Sequence, residues 1–189
     1  MKLDPRTTAL VMIDLQKGVL RRDVAPYSGA EVLGRATELA GRFRDAGAMV
    51  VWVRACWSRD LGDALRPPAD KPMPIPEGGF PEDFATLPEG LQQPGDFLIT
   101  KRQWGAFYGT ELDLQLRRRG VQTIVLGGIA TNLGVESTAR AAWEHGYRLV
   151  IVEDTTSSFT AEMHDFAIQQ IMPRIAIVTT SAALSFKDE

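Results

Sequence analysis

The sequence predicts a doubly wound α/β domain: a three-layer arrangement with a mostly parallel, six-stranded sheet and helices on both faces. Two observations predict it. Six short apolar runs of strand length show no in–out alternation, and stretches of helical periodicity separate most of them. A strand that is apolar at every position is covered on both faces, as in a parallel sheet. Alternating strands and helices joined by right-handed crossovers then give helical layers on either side.

The first run covers residues 9–13 and ends in Asp14. Residues 30–46 follow with Val32, Ala36, Leu39, Ala40 and Phe43 at helical spacing and Gly47 as C-cap. The second run, 48–53, leads into Arg54, Ala55 and Cys56, and a third, 97–99, leads into Thr100 and Lys101. A helix over 111–119 closes at Gly120, its basic last turn complementing the helix dipole. Run 123–126 ends in Gly127 and Gly128, and a helix over 133–145 stops at Gly146. Run 149–152 ends in Glu153 and Asp154, a helix over 161–172 stops at Pro173, and run 175–178 closes the set.

Residues 57–96 break the pattern. Eight of the 11 prolines fall there (67, 68, 72, 74, 76, 81, 88 and 94), and so many fixed φ angles and missing N–H donors forbid a long helix or a central strand. The whole chain, 1–189, reads as one domain with this insertion, which serves as a lid, a binding loop, an oligomer contact or a stiffened surface excursion.

Composition narrows the function. Hydrophobic residues are 44% and charged residues 24% of the 189, a globular balance. A net charge of -3 gives no basic surface to replace phosphate counterions, so nucleic acid is not an expected partner. No apolar run is long enough to span a bilayer and the first eight residues are polar, so a cytoplasmic location is expected, with no membrane partner. Cys56 is the only cysteine, which excludes an internal disulfide.

In such a sheet, ligands sit beyond the carboxyl ends of the strands. The polar residues there are Asp14, Gln16, Arg54, Lys101, Arg102, Gln103, Thr131, Asn132 and Asp154. Asp14 directly follows five apolar residues, and burial against a nearby cation is what tunes a carboxyl group for proton transfer; capping a turn is the other role open to it. Lys101 ends another strand, where it either meets Asp14 or is solvated. Residues 127–135 run through small side chains into a helix start, where backbone N–H groups can bind an oxyanion. They match neither a dinucleotide fingerprint nor a phosphate-binding loop, and no cofactor is expected. Trp57, Trp104, Phe107 and Tyr108 either wall an apolar pocket or belong to a core or subunit interface. His145 and His164 read as surface residues, and no metal site is expected.

Asp14 after an apolar strand, Lys101 within Thr100-Lys101-Arg102-Gln103-Trp104-Gly105-Ala106-Phe107, and Gly128 to Ala139 together resemble the isochorismatase-like hydrolase superfamily, and within it the YecD-type isochorismatase family proteins. The likeness runs from about residue 8 to 181. It implies a catalytic site of Asp14, Lys101 and position 134, a cis peptide at Ile129–Ala130, and oxyanion-binding backbone at Ala130 and Gly134. Gln16, Trp57, Gln103, Trp104, Phe107 and Asn132, from their places beyond the strand ends and their chemistry, are the expected contacts to a small-molecule substrate. The resemblance also implies a homo-oligomer, a dimer or tetramer.

Most of that superfamily carries a nucleophilic cysteine where this chain has Gly134, and a glycine cannot attack a carbonyl. Isochorismatases proper lack that cysteine too. The resemblance therefore implies hydrolysis of an enol ether, with Asp14 as general acid, Lys101 as its ionic partner and no covalent intermediate. Two other functions fit the sequence: an amide or carbamoyl hydrolase using Cys56, Ser137 or Thr131, and a catalytically silent small-molecule-binding oligomer.

Overall fold

The computed structural model describes residues 1–186. Its main sheet has six strands in the order β4-β3-β2-β5-β6-β7: β2 (Thr8–Ile13), β3 (Met49–Ala55), β4 (Phe97–Lys101), β5 (Thr123–Ile129), β6 (Arg148–Ser157) and β7 (Ile177–Thr179). Every neighbouring pair in it is parallel. A two-stranded parallel ribbon, β1 (Lys2–Leu3) with β8 (Ser185–Phe186), joins the ends of the described chain. Two residues per strand are too few to show periodicity, so the sequence gives no sign of it.

Successive residues of β2 point to opposite faces. Leu10 and Met12 pack with Val32, Ala36, Leu39 and Phe43 of α2 (Gly29–Asp45), whose preceding turn is α1 (Lys17–Leu20). Ala9, Val11 and Ile13 pack on the other side with Leu112 and Leu116 of α3 (Leu112–Arg118) and Ala139 and Ala142 of α4 (Glu136–Glu144). Both faces are dry, so the strands carry no polar alternation. Helix α2 starts at a capping box, in which Ser28 Oγ accepts from Glu31 N–H and Glu31 accepts from Ser28 N–H.

Two helices differ from the periodicity. The stretch expected from residue 133 begins instead as a wide turn over Thr131–Val135, closed by Val135 N–H to Ala130 O at 3.2 Å. Inside the helix, Thr138 Oγ1 takes the Gly134 carbonyl at 2.7 Å. The helix expected over 161–172 is α5 (Ala161–Phe166), followed by a second wide turn, Ala167–Ile171, and a 3-10 turn containing Pro173.

Residues 57–96 form a chain of turns without helix or strand. It is clamped onto the sheet at its far end by Asp96. That carboxylate accepts from Arg44 Nε and Nη2 (3.0 and 2.6 Å), Trp52 Nε1 (2.8 Å) and the Gln93 N–H (2.9 Å). Burial pushes the Asp96 carboxyl up, but these hydrogen bonds and the Arg44 charge outweigh it and hold it below the usual range. A depressed folded value means that the stabilisation is present above the ordinary carboxyl range and is lost as pH falls through the folded one. Asp96→Ala is expected to cost about 2–4 kcal/mol, since it strands a half-buried guanidinium and an indole N–H. Urea denaturation at neutral pH measures the loss, and the wild-type advantage should shrink in acid.

Candidate active site

Two glycines let the end of β2 be approached closely. A Cβ on Gly128 (φ +117°) would lie 2.1 Å from the Ile13 carbonyl oxygen. Opposite Gly127, β6 bulges, its register jumping from Leu126↔Ile151 to Gly128↔Thr156. The bulge puts Thr155 Oγ1 2.3 Å from where a Gly127 Cβ would stand. Asp14 itself takes a left-handed conformation (φ +54°), which Asp tolerates better than most residues. Its N–H donates to Val53 O at 2.8 Å. This bend, and not continued strand geometry, directs its carboxyl group.

Asp14 Oδ2 lies 2.8 Å from Lys101 Nζ, and the Lys101 side chain is 1% exposed against 12% for Asp14. Lys101 Nζ also donates to the Trp104 carbonyl, curling the segment after β4 around the ammonium. The other carboxyl oxygen, Asp14 Oδ1, is buried and has no hydrogen-bond partner. Burial raises the Asp14 pKa, opposed by the charge and hydrogen bond of Lys101 and by the Ala55 N–H. The net direction is upward, because a carboxyl with one unsatisfied buried oxygen favours its neutral form.

Gly134, in the wide turn, faces this pair. A Cβ there would stand 3.1 Å from Lys101 Nζ, 3.3 Å from Asp14 Oδ2 and 3.0 Å from Ile13 Cγ2. The Ile129–Ala130 peptide that opens the turn is cis. Thr138 ties the turn to the Lys101 segment by donating to Gly134 O and accepting the Ala106 N–H at 3.1 Å. Asp14, Lys101 and Gly134 therefore come together at one point from the end of β2, from β4 and from the turn after β5.

The residues expected around a substrate divide into several groups. Gln16 is fully buried and spent on backbone: Nε2 donates to Ala55 O (2.8 Å) and Phe84 O (3.1 Å), while Oε1 accepts from Ala55 N–H (2.7 Å). Gln103 donates to Gly105 O and Tyr108 O within its own segment (3.0 and 2.6 Å). Asn132 Oδ1 accepts from Ser158 Oγ. Phe107 is buried in the core, its ring against His145 and Tyr147, and so is not free to wall a pocket. Trp104 and Tyr108 are exposed. Asp154 accepts from the Ser181 N–H and hydroxyl and anchors the C-terminal segment.

Trp57, but not Trp104, Phe107 or Tyr108, lines a cavity of about 530 Å³ between the end of β3 and the insertion. Its indole N–H donates to Arg102 O at 2.7 Å, and its ring stacks on Phe80 at 5.1 Å, with Phe84 at 6.2 Å. Cys56 also lines this cavity; Asp14, Lys101 and Gly134 do not. Gln16 links the two places through the Ala55 and Phe84 backbones. Phe80 and Phe84 escape sequence reading because nothing in a proline-rich segment says which aromatics fold inward.

The expectation that both histidines lie on the surface needs one correction. His145 is exposed, but His164 is 1% exposed and its Nδ1 lies 2.9 Å from Thr131 Oγ1. It sits on the inner face of α5, where periodicity could have placed it. Among the described residues, no cluster of three His, Cys, Asp or Glu side chains is arranged to hold a metal ion. No helix among them is long and apolar enough to cross a membrane.

A parallel α/β sheet with a buried acid–ammonium pair at its carboxyl edge is a frame for hydrolytic chemistry on small molecules. Residues 8–183 match the isochorismatase domain family model, and the chain belongs to the isochorismatase family of hydrolases. It is 52% identical over 179 residues to the uncharacterized isochorismatase family protein YecD of Escherichia coli O157:H7, covering 94% of each chain. It is 31% identical to the ureidoacrylate amidohydrolase RutB of Methylobacterium radiotolerans, covering 96% of this chain and 79% of that one. Among solved structures, an isochorismatase family protein from Burkholderia thailandensis superposes with a TM-score of 0.90 at 43% identity, over 97% of this chain and 95% of that one.

Proposed function

We propose that this hydrolase cleaves a small enol-ether metabolite of the isochorismate type by acid–base catalysis, with no covalent enzyme intermediate. The observation that carries the reading is the uncommitted Asp14 Oδ1: one carboxyl oxygen is held by Lys101 and the other is free to carry a proton, beside a position that offers no side chain. Asp14 protonates the terminal enol-ether carbon, water adds to the resulting oxocarbenium carbon, and the hemiketal collapses to pyruvate and the ring alcohol. The water's proton restores Asp14. Lys101 orients the carboxyl group, and N–H groups of the Ala130–Gly134 turn bind substrate oxygens.

The test is incubation with isochorismate, following pyruvate through lactate dehydrogenase. Pyruvate formed at enzymatic rates supports the reading; its absence at millimolar substrate overturns it. Amide hydrolysis is a second reading, favoured by the amidohydrolase relative and by Cys56 in the cavity wall. Its signature is a covalent adduct mapped by mass spectrometry to Cys56, Ser137 or Thr131.

A further inference from the structure

Most side chains that hold the Ala130–Gly134 turn are fully satisfied, and His164 is the exception. It projects from α5, buried to 1% exposure, with Nδ1 on the hydroxyl of the fully buried Thr131, while its Nε2 has no partner. Tyr27 stands edge-on with its ring centre 6.4 Å away. Burying an imidazole with one orphaned nitrogen costs free energy that an apolar ring of the same shape would not. Packing alone does not account for a histidine here.

An orphaned buried N–H is rarer than an orphaned acceptor, which assigns the proton to Nδ1 and leaves Nε2 bare. Burial holds the ring below its ordinary pKa, opposed by Asp165 on the same helix, and so keeps it neutral. In this tautomer Nδ1–H donates to Thr131, the first residue of the wide turn. Ser158 holds the next residue through Asn132, and Thr138 holds the far end through the Gly134 carbonyl. The turn is thus gripped near its start from α5 and from the residue just after β6, and at its end from α4.

We infer that His164 is a positioning residue: through Thr131 it sets where the Ala130 and Gly134 backbone stands relative to Asp14 and Lys101. Its side-chain hydrogen bond is to the Thr131 hydroxyl, so it acts on Asp14 and Lys101 only through the turn. The inference rests on the proposed site only for its kinetic arm.

Four variants test it: His164→Phe, which keeps the shape and removes the bond; His164→Asn, which keeps a polar group near Nδ1; Thr131→Val; and Thr131→Ser. Backbone amide exchange across residues 130–135 is the first readout, and kcat and KM for isochorismate are the second. His164→Phe and Thr131→Val should each speed exchange at least about tenfold within that segment only. Each should also lower kcat about tenfold with little change in KM. His164→Asn and Thr131→Ser should restore both, and the double variant His164→Phe/Thr131→Val should be no worse than either single one. Unchanged exchange in His164→Phe overturns the inference, as does faster exchange throughout the molecule that His164→Asn does not reverse. If His164→Phe fails to fold, Thr131→Val against Thr131→Ser decides it. If the wild type does not hydrolyse isochorismate, the proposed function fails, while the exchange results still decide the role of His164.

Discussion

Asp14→Asn is expected to lower isochorismate hydrolysis by about 10³-fold while leaving the protein folded. General acid catalysis is worth on the order of 10²–10⁴ in rate, and an amide has no acidic proton to give. Asparagine nevertheless resembles the protonated acid in shape, and its carbonyl oxygen can accept from Lys101 Nζ, as Asp14 Oδ2 does at 2.8 Å. Stability should therefore stay within about 1–2 kcal/mol of wild type. Asp14→Leu tests the same point from the other side. It leaves the buried Lys101 ammonium without its anion and should cost about 3–5 kcal/mol in a denaturation experiment. The pH dependence has a definite sign. Because burial raises the Asp14 pKa, the folded state binds a proton more tightly than the unfolded chain does, and stability falls as pH rises through the window above the ordinary carboxyl value. The kcat of the wild type should fall over the same rise, as the acid ionises. Both trends should be absent in Asp14→Asn, where activity is measured as pyruvate release and stability by urea titration. An Asp14→Asn protein with undiminished kcat would remove Asp14 from the chemistry.

The sequence exposed the sheet because its signal is collective. Six unbroken apolar runs mean strands covered on both faces, and the six parallel strands of the main sheet coincide with those runs, although their order across the sheet is not written in them. Helix α2 was legible for the same reason, and its start could have been set at Ser28 from the Ser28-x-x-Glu31 pattern. The wide turns were hidden. Nothing in the spacing of residues 133–145 says that Thr138 will take the Gly134 carbonyl or that Val135 will reach back to Ala130. The meeting of Asp14 with Lys101 was open to the sequence from their places at two strand ends, whereas the positive φ at Asp14 was not, because propensity does not forecast it at a non-glycine residue. Gln16 shows the opposite failure. A polar residue three positions beyond a strand end looks like a ligand contact, yet its side-chain hydrogen bonds go to the Ala55 and Phe84 backbones. Polarity at the carboxyl edge marks where a site can be. The bonds of Gln16 hold the site together, whereas Asp14 Oδ1, beside Lys101 and Gly134, is left free.

Gly134 is the position where a single methyl group should matter most. In Gly134→Ala the added carbon would stand 3.0 Å from Ile13 Cγ2 and 3.1 Å from Lys101 Nζ, closer than carbon atoms normally pack. Neither neighbour can retreat readily: Ile13 is fully enclosed in the core, and Lys101 is held by Asp14 and by the Trp104 carbonyl. Overpacking of this kind costs about 1–3 kcal/mol, and relief by moving the turn would shift the Gly134 backbone relative to Asp14 and Lys101. Displacing a positioned group by about 1 Å can cost about 10²-fold in rate, so kcat should drop more than stability does. Gly105→Ala is the control, because a Cβ there would lie 3.7 Å from Ser137 at ordinary contact distance. It should leave both kcat and the melting temperature nearly unchanged. Gly134→Cys tests whether a side chain at this position can be reached from solvent. It supplies a thiol within reach of Asp14 and Lys101, and iodoacetamide followed by mass spectrometry should label that turn in the variant and leave it unlabelled in the wild type. If Gly134→Ala hydrolyses isochorismate at the wild-type rate, the turn backbone is not what meets the substrate, and the acid–ammonium pair would have to act without it.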